Sequence, residues 1–116
     1  MIIPTEYAVA FVCPDCGSLI LKKFSLFALN RGELTINCKC GATPCVIGLE
    51  KGKLIYMEID SDCCNDLHVF TFGIEEFHQE AFFGLACEES NRGIGYFGVP
   101  RTVVEALEHY TLPIPF

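Results

Sequence analysis

Two short cysteine motifs carry the most specific chemistry in this chain of 116 residues. The first is Cys13-Pro14-Asp15-Cys16-Gly17, and the second, after 21 intervening residues, is Cys38-Lys39-Cys40-Gly41. A tight turn between two cysteines points both thiolates at one ion, while backbone amides support the charge on sulfur. Gly17 and Gly41 follow the second thiol of each pair. The chain must turn back there through a left-handed conformation, which glycine adopts without steric cost. Cys38-Lys39-Cys40 is one residue shorter than the usual bite. Four sulfurs in a tetrahedron select zinc or a single iron, and zinc is the default for a structural site. The expected ligands are therefore Cys13, Cys16, Cys38 and Cys40. The expected metal is zinc, ahead of iron, which would give rubredoxin-like redox chemistry.

The remaining cysteines divide into two kinds. Cys45 and Cys87 sit in apolar stretches and are expected in the core, where free cysteine is common. Cys63-Cys64-Asn65-Asp66-Leu67-His68 has ligand types in a loop that also holds Asp60 and Asp62. Cys63 or Cys64 with His68 and one further ligand could form a second zinc site. The adjacent cysteines could also form a vicinal disulfide. No catalytic constellation is expected. Nothing in the sequence places a base against Cys64. No glycine-rich phosphate loop opens a helix. Glu75 and Glu76 are neighbours that point in different directions, so they form no acid–base pair. His78 and His109 read as surface residues.

The elements that must position these residues are mostly strands. Tyr7–Val12, Leu19–Phe27 and Leu34–Asn37 read as strands, with Asn30-Arg31-Gly32 as a turn. The second of these strands and the third would form a hairpin that returns the second cysteine turn to the first. Cys45–Leu49 and Leu54–Ile59 flank Glu50-Lys51-Gly52-Lys53, a strong hairpin signal. His68–Phe72 is a further strand, and Ile74–Gln79 a short helical turn. Phe82–Cys87 and Gly93–Gly98 form another hairpin, whose glycines suggest a bulge or close backbone approach. Pro100 opens an amphipathic helix with Val103, Val104, Leu107 and Tyr110 on one face and Glu105 and Glu108 on the other. The prolines of Thr111–Phe116 make an extended tail, expected to dock on its own domain or on a second copy. The fold class is therefore mainly β (α+β). Antiparallel hairpins carry an N-terminal zinc-ribbon-like element and a C-terminal amphipathic helix. Residues 1–116 form one domain, with a ribbon-like part at about 5–49 and hairpins, helix and tail over 50–116.

Charge and composition narrow the function. The net charge is −7, but residues 1–53 hold six bases and four acids, and residues 54–116 hold two bases and 11 acids. An acidic surface repels a phosphate backbone, so nucleic-acid binding by the whole chain is disfavoured. No apolar run reaches the roughly 18 residues a membrane helix needs. Met1–Glu6 has no basic and apolar leader, so no secretory signal is expected and a cytoplasmic location follows. In such a reducing compartment, eight cysteines suggest metal ligation before disulfides.

The two cysteine turns resemble those of a zinc ribbon. The wider run is similar to a group of small uncharacterised proteins from anaerobic Firmicutes. The likeness is carried by Leu21–Phe27, Cys38-Lys39-Cys40-Gly41, Cys64–Phe70, and Cys87-Glu88-Glu89-Ser90 leading to Gly95-Tyr96-Phe97-Gly98. It covers about residues 5–98. In that group the central segment tends to carry Cys-x-x-Cys followed by His. Here Ser61 stands at the first of those cysteines, leaving Cys64 and His68. The resemblance implies a fold element and no reaction. The leading expectation is a small zinc-binding protein with a structural four-cysteine site, acting as a binding or assembly module. It would act as a homodimer or on a protein partner. The alternatives are a transcription-linked nucleic-acid-binding ribbon using Lys22, Lys23, Arg31 and Lys39 with Phe24 and Phe27, or a thiol or metal enzyme using Cys63, Cys64 and His68.

Overall fold

A computed structural model describes residues 5–51, 53–60, 67–77, 81–87 and 93–109. Within them lie eight strands: β1 (Glu6–Val12), β2 (Leu19–Ser25), β3 (Leu34–Ile36), β4 (Cys45–Glu50), β5 (Leu54–Ile59), β6 (His68–Gly73), β7 (Phe82–Ala86) and β8 (Gly93–Gly98). Two helices join them, α1 (Leu26–Arg31) and α2 (Pro100–His109), and Ile74–Glu76 makes one 3-10 turn. The strands form two four-stranded antiparallel sheets, ordered β2-β1-β8-β7 and β3-β4-β5-β6. The second sheet is a continuous stretch of chain set between the two hairpins of the first.

Side-chain alternation explains how the layers meet. In the second sheet Cys45 and Ile47 on β4, and Ile55, Met57 and Ile59 on β5, face inward and are buried. The period of two leaves Val46, Tyr56 and Glu58 on the outer side, only half-buried. β1 is buried on both faces because the second sheet covers one and α2 the other. Tyr7, Val9 and Phe11 join the core between the sheets, while Ala8 and Ala10 lie under α2 with Tyr96. Small residues at 8 and 10 let the helix approach closely. Ile94 is the extra residue of a bulge against Leu85–Ala86. Next to it a side chain at Gly95 would strike the carbonyl of Ala10. The glycine-rich sequence of β8 thus marks both a bulge and a close backbone approach, as expected.

Three expectations need correction. β2 stops at Ser25, and Leu26–Arg31 is helical. Ser25 is its N-cap, its Oγ accepting a 3.1 Å hydrogen bond from the Ala28 N–H. Asn30 and Arg31 therefore belong to a helix and not a turn. Second, β2 and β3 do not pair. β2 pairs with β1 and β3 with β4, so α1 carries the chain from one sheet to the other. Third, of the helical turn expected over Ile74–Gln79, Ile74–Glu76 is a 3-10 turn and Phe77 is extended; His78 and Gln79 lie outside the described residues. The C-terminal helix begins where expected. Val103 and Ala106 are its buried residues, with Val104 and Leu107 half-buried and Glu105 and Glu108 exposed. Tyr110 and the tail lie outside the described residues.

Candidate metal centre

Each cysteine turn closes a β-hairpin, and the two hairpins belong to different sheets. Cys13 follows the last residue of β1. Val12 pairs with Leu19, so the chain reverses over Cys13–Ser18. The Cys13 N–H donates to the Ser18 carbonyl and the Gly17 N–H to the Cys13 carbonyl, both at 2.9 Å. The second turn joins β3 to β4. There the Cys38 N–H donates to the Ala42 carbonyl at 2.8 Å and the Gly41 N–H to the Cys38 carbonyl at 3.0 Å. Gly17 and Gly41 have φ of 77° and 96°, the left-handed backbone their position requires. The first glycine reaches back four residues and the second three. The missing residue of the second turn is absorbed in that tighter loop. Thr43 braces its base by donating from Oγ1 to Asn37 at 2.8 Å.

The four sulfurs lie within 4.8 Å of one another. The two short separations both run between the turns: Cys13 to Cys40 at 3.7 Å and Cys16 to Cys38 at 3.4 Å. A tetrahedron with metal–sulfur bonds of about 2.3 Å has edges of about 3.8 Å, so this donor set fits one metal ion. The same separations are far beyond the S–S bond of about 2 Å in a disulfide, and all four cysteines are free thiols. In each turn the first cysteine is buried and the second exposed. The ion would therefore sit at the rim of the sandwich, held from below by Cys13 and Cys38.

The turns also set the acidity of the thiols. Ser18 hydrogen-bonds the Cys16 sulfur through its hydroxyl and its backbone, and Cys38 and Cys40 add to this, bringing Cys16 down to about 6. For Cys40, a backbone hydrogen bond from Ala42 favours the thiolate. Desolvation and hydrogen bonding to Cys38, Cys13 and Cys16 outweigh it and push the thiol up to about 12. Cys38 is likewise raised: a backbone bond from Cys40 works against hydrogen bonding to Cys16 and desolvation, and loses. Binding of a metal ion would release thiol protons. Ser18 escaped the sequence reading. Its signal was its place directly after the Cys-Gly pair, where N–H and O–H donors face the ligand sulfur.

All four expected ligands are therefore brought together. Cys45 and Cys87 are buried in the apolar core, as expected. Burial, then the nearby charge of Asp60, pushes Cys45 up to about 12. Cys63, Cys64, Asp62 and Asp66 lie outside the described residues, as does His78. His68 opens β6, pairs with Ile59 across the sheet and is buried. Among the described residues no second group of three or more metal-ligating side chains converges. Phe24, expected on a nucleic-acid contact face, is instead buried in the core between the sheets. Period-two alternation puts it on the same side of β2 as Ile20, towards the second sheet. Phe27 on α1 is 66% exposed. No helix among the described residues is long and apolar enough to cross a membrane. No family model matches this chain, and neither a curated protein nor a solved structure matches it.

Proposed function

We propose that this chain is a small zinc-binding protein whose four-cysteine centre is structural, and that it works as a binding or assembly module. The convergence of four sulfurs from two sheets is the observation that carries the reading. Four protein ligands fill a tetrahedron and leave no open position for water or substrate, which is how structural zinc differs from catalytic zinc. The glycine-closed turns resemble those of a zinc ribbon, and the likeness to small proteins of anaerobic Firmicutes supports that fold element alone. Here, however, the ion joins two sheets. A cytoplasmic location suits free thiols. A homodimer fits a protein whose two sheets present four edge strands among the described residues. The transcription-linked reading is weakened by the burial of Phe24 and the net charge of −7.

Elemental analysis with native mass on freshly purified protein tests the proposal. One zinc per chain is the expected result, and the mass also reports the dimer. One iron, with the red colour of sulfur-ligated ferric iron, would turn the reading to electron transfer. A metal-free protein that folds equally well in chelator would overturn it.

A further inference from the structure

The outer edge of β2 is built to accept another strand. β2 is the terminal strand of its sheet. The Cys13 N–H donates to the Ser18 carbonyl at one end of the β1–β2 pair, and the Leu26 N–H to the Thr5 carbonyl at the other. Backbone direction alternates along an antiparallel strand, so Ile20, Lys22 and Phe24 turn their N–H and C=O groups towards β1. Leu19, Leu21 and Lys23 turn theirs outward. Among the described residues no strand pairs with them. Leu19 and Leu21 are also 53% and 42% exposed, on one face. Beside them lies a groove of 260 Å³ lined by Ser18–Leu21 on one side and by Asn37, Cys38 and Lys39 of the second cysteine turn on the other.

Charge identifies the occupant. Lys22 and Lys23 lie on the edge strand and Lys39 faces it across the groove, in the basic part of an otherwise acidic chain. A second copy laid edge to edge would crowd both pairs of lysines along one seam, a device that discourages self-pairing. An acidic strand meets no such barrier.

We propose that this edge docks an extended, acidic segment of a partner protein, added beside β2 as a fifth strand. Its backbone pairs with Leu19, Leu21 and Lys23. Its apolar side chains cover Leu19 and Leu21, on the face that also carries Lys23, and the carboxylates that alternate with them take the opposite face, towards Lys22 and Lys39. Backbone pairing supplies the affinity and alternate side chains the selectivity, as in other strand-addition complexes. The inference rests on the metal reading, because one cysteine turn leads into Leu19 and the other supplies the facing wall.

The test uses the full chain, with bound metal measured on the same sample. The probe is a labelled ten-residue peptide alternating valine with glutamate, compared with one alternating valine with lysine. The glutamate peptide is expected to bind in the micromolar range and at least about tenfold more tightly than the lysine peptide, with the gap shrinking as salt rises. Amide exchange should slow at Leu19, Leu21 and Lys23 alone. Leu21→Glu should weaken binding about tenfold with metal content unchanged. Absence of binding to metal-loaded protein at about 100 μM overturns the inference and leaves the metal reading intact. Protection on another sheet edge also overturns it. So does protection of β2 in the free protein, assigning the edge to a second copy if the native mass doubles and to the chain's own C-terminal segment if it does not. Peptide binding by a protein without metal overturns only the metal reading.

Discussion

At one end of the β1–β2 hairpin the two sheets meet through aromatic rings; at the other they meet through sulfur. Tyr7 and Phe24 pair across the hairpin, and their rings join Phe97 and Phe83 of the same sheet. Phe72, from the second sheet, lies 4.9 Å from Phe83 and 5.0 Å from Phe97, and Phe77 packs 5.0 Å from Tyr7. About 20 Å along β1 from Tyr7, at 3.3 Å per residue, comes Cys13. The ring end needs only burial, and each ring pair adds about 0.5–1.5 kcal/mol beyond the area it removes from water. As a metal centre, the sulfur end would need an ion, loss of thiol protons and matched geometry. On the proposed metal reading, the same sandwich carries one unconditional fastener and one that responds to metal supply. If that contrast holds, the two ends should fail separately.

The largest effect should come from taking the ion away, by chelator or by Cys38→Ser. Structural zinc contributes apparent binding free energies of about 10–16 kcal/mol in small zinc-finger peptides. Here the ring end remains, so the chain should not unfold completely. Amide protection should vanish around residues 12–19 and 36–45 while Val9, Phe97 and Phe72 keep theirs. Hydrogen exchange with and without chelator measures this. Uniform loss of protection would mean that the two ends form one cooperative unit.

Phe97→Ala attacks the other end. Phe97 is fully buried and touches rings from both sheets. Its truncation should cost about 3–5 kcal/mol, a large share of the roughly 5–15 kcal/mol typical of a whole domain. Urea denaturation should show it in metal-loaded and metal-free protein alike, with one ion still bound at saturating zinc. A loss below about 1 kcal/mol would remove the ring cluster as the metal-independent fastener.

A third effect separates a ligand thiol from a packed one. Cys45 lies in the core with its thiol pushed up to about 12, first by burial and then by Asp60. In the unfolded chain the same thiol ionises near 9. A group raised on folding gives stability that is complete below the unfolded value and lost as pH climbs towards the folded one. Metal-loaded protein should therefore weaken above pH 9 by about 1.4 kcal/mol per unit. Cys45→Ala should flatten the profile between 9 and 10, before Tyr7, also raised by burial, begins to contribute. Urea midpoints at pH 8, 9 and 10 decide it, and an unchanged slope in the variant removes Cys45 as the cause.

The sulfur end was far more legible in the sequence than the ring end. Cysteine, a short spacer and a following glycine are local chemistry: the left-handed turn at Gly17 and Gly41 and the convergent thiols follow from a handful of adjacent residues. The strands of the second sheet were legible for a similar reason, since Ile55, Met57 and Ile59 alternate cleanly with Tyr56 and Glu58. β2 was not. Leu19–Phe27 is apolar almost throughout, so periodicity could not mark where the strand ends, and α1 is too short to show a helical repeat. Ser25 was the one available sign, an N-cap residue before Leu26. Without it the crossover between sheets looked like a hairpin, and Phe24 looked like a surface ring. The pairing of β1 with β8, about 85 residues away in sequence, has no local signature at all.

That crossover offers the smallest and most discriminating measurement. α1 leaves β2 at the ring end, beside Phe24, and hands the chain to β3, which runs back towards the sulfurs. Ser25→Ala removes the cap on the Ala28 N–H and should cost about 1 kcal/mol. The helix lies with the rings, so the cost should be equal in metal-loaded and metal-free protein, and zinc affinity should not change. Measuring both forms closes a thermodynamic cycle between the cap and the ion. A coupling larger than about 0.5 kcal/mol would show that strain at the crossover reaches the cysteine turns along β2 and β3. The two fasteners would then have to be treated as parts of one device.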